Sequence, residues 1–596
     1  KLVMKRIIIA GVLLSSLLTM AQENENVQSG SLPIGLTDAE QTNLRDYFNT
    51  RSLDRGIETA PGGDIRHSAQ WEEIQSFLIT WTGQFNTIQT QIVDAAQEEC
   101  RVLIACSDSN NVKSVLSSAG VPDNNLDFLE VDYNSIWIRD YAGHNMYRND
   151  VDSLFLVDWI YNRPRPNDDV MPEFHAAFHN IPLYSTTLSP TDLVNTGGNW
   201  MTDGLGTAFA SELILEENEP GNPYSVSSKT EAQIDQMVND FMGIDRYIKM
   251  PVLPYDNIHH IDMHMKLLDE ETLFISEYPS GVADGPQIEA NLQYVLNNFN
   301  SSFGTPYKVI RVPVPPSTGG SYPDNGGYYR TYTNSVFINK TMLVPTYREE
   351  YDTVALRILG EALPGYNIVG IDVDNSGQNL ISQSGALHCI TNSVGVNDPL
   401  WIVHQSLVDT YETVIPYTVS ADMKHSTGIS SATLYYRLAT TGAYTAVTMS
   451  PAAGDSWTGD IPAQPVGTHI EYYVEGNSTN GKTTVRPLAA PTGFWDFNVI
   501  DVSASIQEVA AAISLDDVFP NPASAITCIP INSTNATTGS IILRNMTGKI
   551  VKEIYVGEIP QGESKYFLFA NEFSSGAYLI CVEIDSFNLT KKLMIK

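Results

Sequence analysis

Among the side chains of this 596-residue sequence, a cysteine beside a histidine has the plainest chemical potential. Residues 385–392 read GALHCITN, with Cys389 directly after His388. A thiolate is both a nucleophile and a metal ligand, and an imidazole is its usual proton acceptor. The run is apolar and strand-like, however, and neighbouring side chains on a strand point to opposite faces. His388 is therefore expected to face away from Cys389. Either Cys389 is a buried apolar residue, as many free cysteines are, or its proton partner comes from a distant segment.

Residues 257–265, NIHHIDMHM, supply one candidate partner. On a strand, His260, Asp262 and His264 share a face and His259 takes the other. That face offers a proton shuttle with an anion, but it also reads as part of a zinc site or as a structural histidine cluster. No fourth ligand stands out. Residues 135–143, SIWIRDYAG, place Trp137, Arg139 and Asp140 at a strand end. Alone, Arg139 and Asp140 read as a buried ion pair. Combined with Asp262 and a thiol they suggest another chemistry, because two carboxylates can grip a planar guanidinium through its fork of N–H donors while Trp137 covers its face. Asn334, in TYTNSV, can orient the substrate backbone.

The elements that must position these residues form a recurring unit from about residue 70 to 390: apolar strand, amphipathic helix, apolar strand. IQSFLIT, TIQTQIVDAAQEE and RVLIAC make the first, and SVFINKTMLVPTY, EEYDTVALRILGEAL and YNIVGIDV the fifth. The helical pieces carry apolar residues at three-to-four spacing and the flanking pieces are short and β-rich. Five units at roughly 50–70 residues each imply a radial repeat. The polar motifs lie between units, so they converge if each is the first strand of a blade. After residue 400 the chain turns Ser/Thr/Gly-rich with short alternating strands, which predicts a β-sandwich of immunoglobulin-like type, followed by a second all-β segment.

Composition limits the partners. Lys and Arg number 34 against 69 Asp and Glu, a formal net charge of −35, which repels nucleic acid and anionic membranes. The opening MKRIIIAGVLLSSLLTMAQ has the basic start, apolar run and small-residue cleavage site of a secretory signal peptide, beginning at Met4. No other stretch is long and apolar enough to span a bilayer. Five cysteines leave at least one thiol unpaired; the spacing suggests Cys100 with Cys106 and Cys528 with Cys581, with Cys389 alone.

In this order, the WIRD strand, the GGN loop of Gly197-Gly198-Asn199, the HID strand and the LHC strand resemble the guanidine-modifying superfamily of agmatine, arginine and peptidylarginine deiminases. VDWIYNRPRPNDD, TGGNWMTDG, YTNS and ALHC narrow the likeness to the secreted, Porphyromonas-type peptidylarginine deiminases. The resemblance implies a five-bladed, pseudo-symmetric α/β propeller. It makes Cys389 the nucleophile, His260 the general acid/base, Asp140 and Asp262 the guanidinium clamp, Trp137 a pocket wall and Asn334 the family's asparagine. Arg163 and Arg165 match arginines that hold a substrate's C-terminal carboxylate. FPNPAS, NMTGKIV and SGAYLICVEI in the tail are similar to the sorting domain of type IX secretion substrates.

The expected organisation is a signal peptide over 1–21, an extension or propeptide over 22–69, the catalytic propeller over 70–405, an immunoglobulin-like domain over 406–503 and the sorting domain over 511–596. The expected protein is secreted or surface-bound and monomeric. It meets the type IX machinery and arginine-containing peptides or proteins, and uses no cofactor or metal. The expected reaction converts peptidyl-arginine, preferably C-terminal, to citrulline and ammonia through a cysteine thiouronium. Asp140 and Asp262 should raise the Cys389 pKa in the empty site, and an arriving guanidinium should cancel them. The alternatives are a deiminase for free arginine or agmatine, a zinc hydrolase built on HHIDMH, and a non-catalytic surface-binding protein.

Overall fold

The computed structural model describes residues 32–51, 55–438, 442–501, 513–584 and 587–596. The expected signal peptide, and the start of the extension after it, lie outside these residues.

Each of the five helical stretches is a helix set between two strands. Ile74–Thr80 leads through the Asn86–Gln97 helix to Arg101–Cys106, and Leu154–Tyr161 through Met171–His179 to Leu183–Thr186. The third unit runs Thr207–Ser211, Glu231–Met242 and Arg246–Met250; the fourth Thr272–Glu277, Gly285–Asn298 and Lys308–Pro313; the fifth Thr341–Thr346, Glu349–Ala362 and Asn367–Asp372. In every unit the two strands pair in parallel, as a helical crossover dictates. The apolar stripes that gave the spacing are the buried faces, such as Ile88, Ile92, Val93 and Ala96 of the first helix.

One more strand pairs antiparallel with the front of each unit. It is His144–Arg148 in the second, Met201–Thr202 in the third, Met265–Leu267 in the fourth and Val336–Ile338 in the fifth. In the first unit the corresponding strand is Thr391–Gly395, which pairs with Ile74–Thr80. The segment that carries Cys389 is thereby bound to the residues that open the region.

Two antiparallel sheets follow, one containing Trp401–Val403, Tyr417–Lys424 and Ser456–Ile461, the other Ile429–Arg437 and His469–Ser478. They enclose an apolar core that includes Val419, Leu434, Val474 and Phe497. A second all-β pair of sheets spans 513–595 around Ile529, Ile541, Ile580 and Leu593. The molecule is thus a mixed α/β body followed by all-β segments. Among the described residues no helix is long and apolar enough to cross a membrane.

All five cysteines are free, which corrects both expected disulfides. Cys100 and Cys106 bracket the extended strand Arg101–Cys106, whose length of about 20 Å at ~3.3 Å per residue is far beyond disulfide reach. Cys528 packs with the α/β body. Cys581 lies on the other sheet of its sandwich, between Ile580 and Val582, whose side chains fill that sandwich's core. Alternation therefore turns Cys581 away from the core.

Candidate active site

The fold gives the chemically interesting residues one common address, the turn immediately before the antiparallel front strand of each unit. Asp140 sits in a single helical turn, Ile138–Tyr141, ahead of His144–Arg148. Gly197–Asn199 forms a 3₁₀ turn ahead of Met201–Thr202. His260 caps the 3₁₀ turn Ile261–Met263 ahead of Met265–Leu267, Asn334 precedes Val336–Ile338, and Cys389 lies in a turn ahead of Thr391–Gly395. The strand expected for the first, third and last of these segments is corrected. Their backbones close short bonds instead, such as Met263 N–H to His260 O (3.3 Å) and Thr391 N–H to His388 O (3.2 Å).

Five units therefore deliver their polar groups to one buried place. Asn334 Nδ2 donates to Cys389 Sγ at 3.1 Å, while its Oδ1 accepts the backbone N–H groups of His388 (3.0 Å) and Cys389 (3.4 Å). Cys389 Sγ stands 3.6 Å from Asp262 Oδ2. Gly198 N–H donates to Asp140 Oδ1 at 3.2 Å, and His260 Nδ1 lies 3.7 Å from that same oxygen. Asp262 Oδ1 and both ring nitrogens of His260 are buried with no hydrogen-bond partner among the described residues. Such atoms also occur elsewhere in the chain, as at Trp81 and His175, and it is their grouping beside a thiol that sets these apart. The unpaired atoms here are an acceptor and a proton-transfer group beside a thiol.

His388 does not turn away from this centre. In a turn, neighbouring side chains need not alternate, and His388 Nδ1 reaches Asp262 Oδ2 at 2.7 Å, the oxygen that Cys389 also approaches. Its tautomer follows from two further contacts. Lys266 Nζ donates to Gln70 Oε1 at 2.8 Å, so the Gln70 amide nitrogen faces His388 Nε2 at 2.8 Å and donates to it. Nε2 is then the acceptor and Nδ1–H the donor to Asp262. Among the described residues Arg139 forms no ion pair with a carboxylate; its backbone N–H donates to the Cys389 oxygen (3.2 Å) and its Nε to the His388 oxygen (3.3 Å). The expected Arg139–Asp140 ion pair is absent because Arg139 is spent on fixing the cysteine turn.

Burial and mutual repulsion shift every titratable group of this centre toward its neutral form. Burial pushes the Asp140 carboxyl up to about 6, against the opposing pull of Arg163 and hydrogen bonds from Thr196 and Gly198. Burial and then the charge of Asp140 hold Asp262 well above the carboxylate range. The Cys389 thiol is held well above its ordinary value by burial, then by Asp262 and Asp140. Burial, with Arg163 and His259 nearby, keeps His260 well below 6.5, so its approach to Asp140 is no ion pair in the resting state. His264 is also kept neutral, pushed down to about 4 by burial. Among the described residues no three His, Cys, Asp or Glu side chains cluster as a metal-ligand set. His260, Asp262 and His264 therefore do not form the zinc site that their spacing allowed.

Trp137, Arg163 and Arg165 border the site, Trp137 against Gly385 beside Cys389 and the arginines close enough to act on Asp140, and all three hydrogen-bond to a segment near the start of the described chain. Trp137 Nε1 donates to Leu32 O (2.9 Å) and Arg163 Nε to Ile34 O (2.9 Å). Arg165 Nη2 donates to Pro33 O (2.9 Å) and Gly35 O (3.2 Å), and its Nε to Glu40 Oε1 (2.7 Å). The flanking Asp168 and Asp169 face inward instead, Asp168 onto Ser135 and Asp169 onto Arg55. Sequence reasoning missed Glu40, Gln70, Lys266 and the role of His388, since each acts on a residue more than a hundred positions away.

A buried thiol with an asparagine donor, two carboxylates and an imidazole is set on repeated ββαβ units, a grouping with the charge to hold a guanidinium. Residues 66–394 match the profile of the Porphyromonas-type peptidyl-arginine deiminases, and the chain belongs to that family. Residues 517–596 match the secretion system C-terminal sorting domain, the type IX signal, which makes this a secreted or cell-surface protein. Over 324 residues the chain is 22% identical to a provisionally named agmatine deiminase of Mycoplasma mycoides subsp. mycoides, covering 50% of this chain and 83% of the relative. Over 273 residues it is 25% identical to another from Legionella pneumophila, covering 45% and 75%. Similar solved structures include the C. jejuni agmatine deiminase, at 21% identity and TM-score 0.45 over 55% of this chain and 96% of that one.

Proposed function

We propose that this chain is a peptidylarginine deiminase that hydrolyses the guanidinium of arginine, preferably at a peptide's C-terminus, to citrulline and ammonia. In this reading the five ββαβ units are blades of a propeller closed by Thr391–Gly395, and the 401–498 sandwich is immunoglobulin-like. The carrying observation is that the Cys389 thiol faces a carboxylate whose second oxygen, Asp262 Oδ1, has no hydrogen-bond partner among the described residues, with the His260 imidazole in the same buried centre.

The guanidinium enters with its N–H fork on Asp140 and Asp262 and one face on Trp137. Its charge offsets the two carboxylates that hold the thiol protonated, and the thiol proton passes to His260. The thiolate attacks the central guanidinium carbon, forming a C–S bond. His260 returns the proton to one terminal nitrogen, the C–N bond breaks and ammonia leaves a thiouronium. His260 then removes a proton from water, whose oxygen attacks the same carbon; the C–S bond breaks to give the urea of citrulline and the thiolate, the adduct's remaining hydroxyl proton leaves with the ammonia as ammonium, and the proton on His260 returns to the thiolate. Asn334 Nδ2, already on the sulfur, stabilises its negative charge at both ends of the cycle.

The substrate preference is the finer question, since the curated relatives carry agmatine deiminase names. Agmatine has no carboxylate, and two buried arginines bordering the site favour a ligand that has one. Product formation from a C-terminal-arginine peptide, an internal-arginine peptide, free arginine and agmatine tests this. Citrulline formation adds about one dalton to the peptide through the proposed hydrolysis. Preference for the first substrate, lost in Arg165→Met, is expected. Turnover of agmatine at an equal or greater rate would place the chain with the agmatine enzymes. Activity that survives exhaustive chelation would remove a zinc hydrolase, and product loss in folded Cys389→Ala would remove a non-catalytic binding protein.

A further inference from the structure

Three side chains bordering the site, Trp137, Arg163 and Arg165, share an unusual situation. Each is at least nine-tenths buried, and each donates at least one hydrogen bond to a segment that belongs to no repeat unit. Four consecutive carbonyls, of Leu32, Pro33, Ile34 and Gly35, are captured by these three side chains. Ile34 N–H donates to Gln383 O at 3.1 Å, and the Ile34 side chain is wholly buried. The segment thus bends at Ile34 and Gly35 between Gln383, which accepts its Ile34 N–H, and Trp137, which donates to its Leu32 carbonyl. The Trp137 ring packs so tightly on Gly385 that an added Cβ there would meet its Cζ3 at 2.6 Å and Cys389 Sγ at 3.2 Å. Cys389, His260 and Trp137 are all 0% exposed under this cover.

The contact with Glu40 identifies what the segment imitates. Its Oε1 accepts from Arg165 Nε at 2.7 Å and its Oε2 from Arg165 Nη2 at 3.2 Å, the two-pronged geometry of an arginine on a carboxylate. The same Oε2 accepts the Thr37 backbone N–H at 2.8 Å, completing the capping box of the Asp38–Thr50 helix. Burial alone would raise the Glu40 carboxyl, but Arg165 and the Thr37 N–H hold it below its ordinary range, so it stays ionised. The helix is anchored in turn by Leu44 and Phe48, packed with Ile160, Val194 and Tyr224. Peptide carbonyls, an inserted aliphatic side chain and a carboxylate on Arg165 together form a peptide ligand presented by the chain itself.

We infer that the mouth formed by Trp137, Arg163, Arg165 and Gln383 is a peptide-docking groove, and that residues 32–40 are its resident occupant, a strap that keeps arginine peptides out until it is displaced or cut away. The inference rests on the proposed substrate only for what the strap excludes. A tethered ligand competes at an effective concentration on the order of millimolar, so a free peptide of modest affinity does not displace it. Cutting the chain between the strap and the body removes that advantage.

The test uses the full chain with Ile34→Asp, which puts a carboxylate in an apolar slot, and separately Glu40→Gln, which removes only a partly exposed charge. The readouts are the rate of Cys389 alkylation by 2-chloroacetamidine, a small amidinium electrophile followed by intact mass, and citrulline release from a C-terminal-arginine peptide. Alkylation is expected to accelerate tenfold or more in Ile34→Asp and severalfold in Glu40→Gln, with the peptide's KM falling while kcat holds. A synthetic peptide of residues 30–41 added to the Glu40→Gln chain should slow alkylation again, and the same peptide carrying Gln at position 40 should do so less. Parental alkylation rates in Glu40→Gln, together with no effect of the peptide, would overturn the strap even if Ile34→Asp fails to fold. Faster alkylation without citrulline from any substrate would leave the strap standing and remove the deiminase reading.

Discussion

Gly198→Ala tests whether the site is built to the tolerance that its geometry requires. An ideal Cβ at Gly198 would lie 2.4 Å from His260 Nδ1, 3.2 Å from His260 Cε1 and 3.0 Å from Asp140 Oδ1. An unstrained carbon–nitrogen contact needs about 3.5 Å, so the imidazole must retreat by about 1 Å. The Gly198 N–H to Asp140 bond, now 3.2 Å, is disturbed by the same methyl. Overpacking of this kind costs about 1–3 kcal/mol of stability, and a 1 Å displacement of a reacting group costs about a hundredfold in rate. The assay is kcat/KM for a C-terminal-arginine peptide, with a urea melt of the same protein. A loss of about two orders of magnitude is expected, most of it in kcat because His260 moves furthest, with the fold retained. At Gly197 the added Cβ would lie 1.9 Å from the Arg139 backbone oxygen, where nothing can yield, and alanine there should prevent folding. A Gly198→Ala enzyme within threefold of the parent would refute the placement of His260 and Asp140 around this turn.

Further outcomes follow from the charges around the thiol. The empty-site Asp140 carboxyl titrates at about 6, above the 3.8 of an exposed aspartate. A guanidinium ligand binds the ionised form, so methylguanidinium affinity for the Glu40→Gln chain should fall as pH drops through about 6, where Asp140 takes up a proton, and rise further above that as Asp262, held higher, ionises. Calorimetric affinity that is unchanged between pH 7 and 5 would contradict this. The same elevation makes the empty fold gain stability as pH drops from about 6 towards 4, because the native state then binds the extra proton. For Cys389, ultraviolet thiolate titration with and without methylguanidinium should show ionisation at lower pH when the ligand is bound; superimposed curves would end the idea that substrate helps to ionise the thiol. His388→Ala removes a charge-assisted bond to Asp262 of about 1.5–3 kcal/mol and should lower kcat/KM ten- to a hundredfold and shift its pH profile. His388→Asn, which keeps a donor near the Nδ1 position, should recover most of that loss.

The repeat was legible because each helix buries a stripe, such as Val354, Ala355, Ile358 and Leu359, whose spacing is visible locally. The five chemistry-bearing turns were not, since three or four residues are too few to show a period, and GALHCITN has the composition of a strand. That misreading also turned His388 away from Cys389, whereas both side chains reach one oxygen of Asp262. Cys389, His260, Asp140, Asp262 and Asn334 lie in one buried centre although up to 249 positions separate them. The Arg165–Glu40 contact spans 125 positions and pairs two commonplace residues, and nothing along the chain marks it. Long-range polar pairs of this kind are settled by packing alone.

The central claim is that Cys389 becomes bonded to the guanidinium carbon. Its most direct measurement is acid quenching of the Glu40→Gln enzyme during turnover of a C-terminal-arginine peptide, then digestion and mass spectrometry of the fragment that contains Cys389. The account expects this fragment to carry the substrate's mass less one ammonia, and the adduct to be absent in Cys389→Ala. Citrulline production at the parental rate by Cys389→Ala, or turnover with an unmodified Cys389 at every quench time, would contradict it.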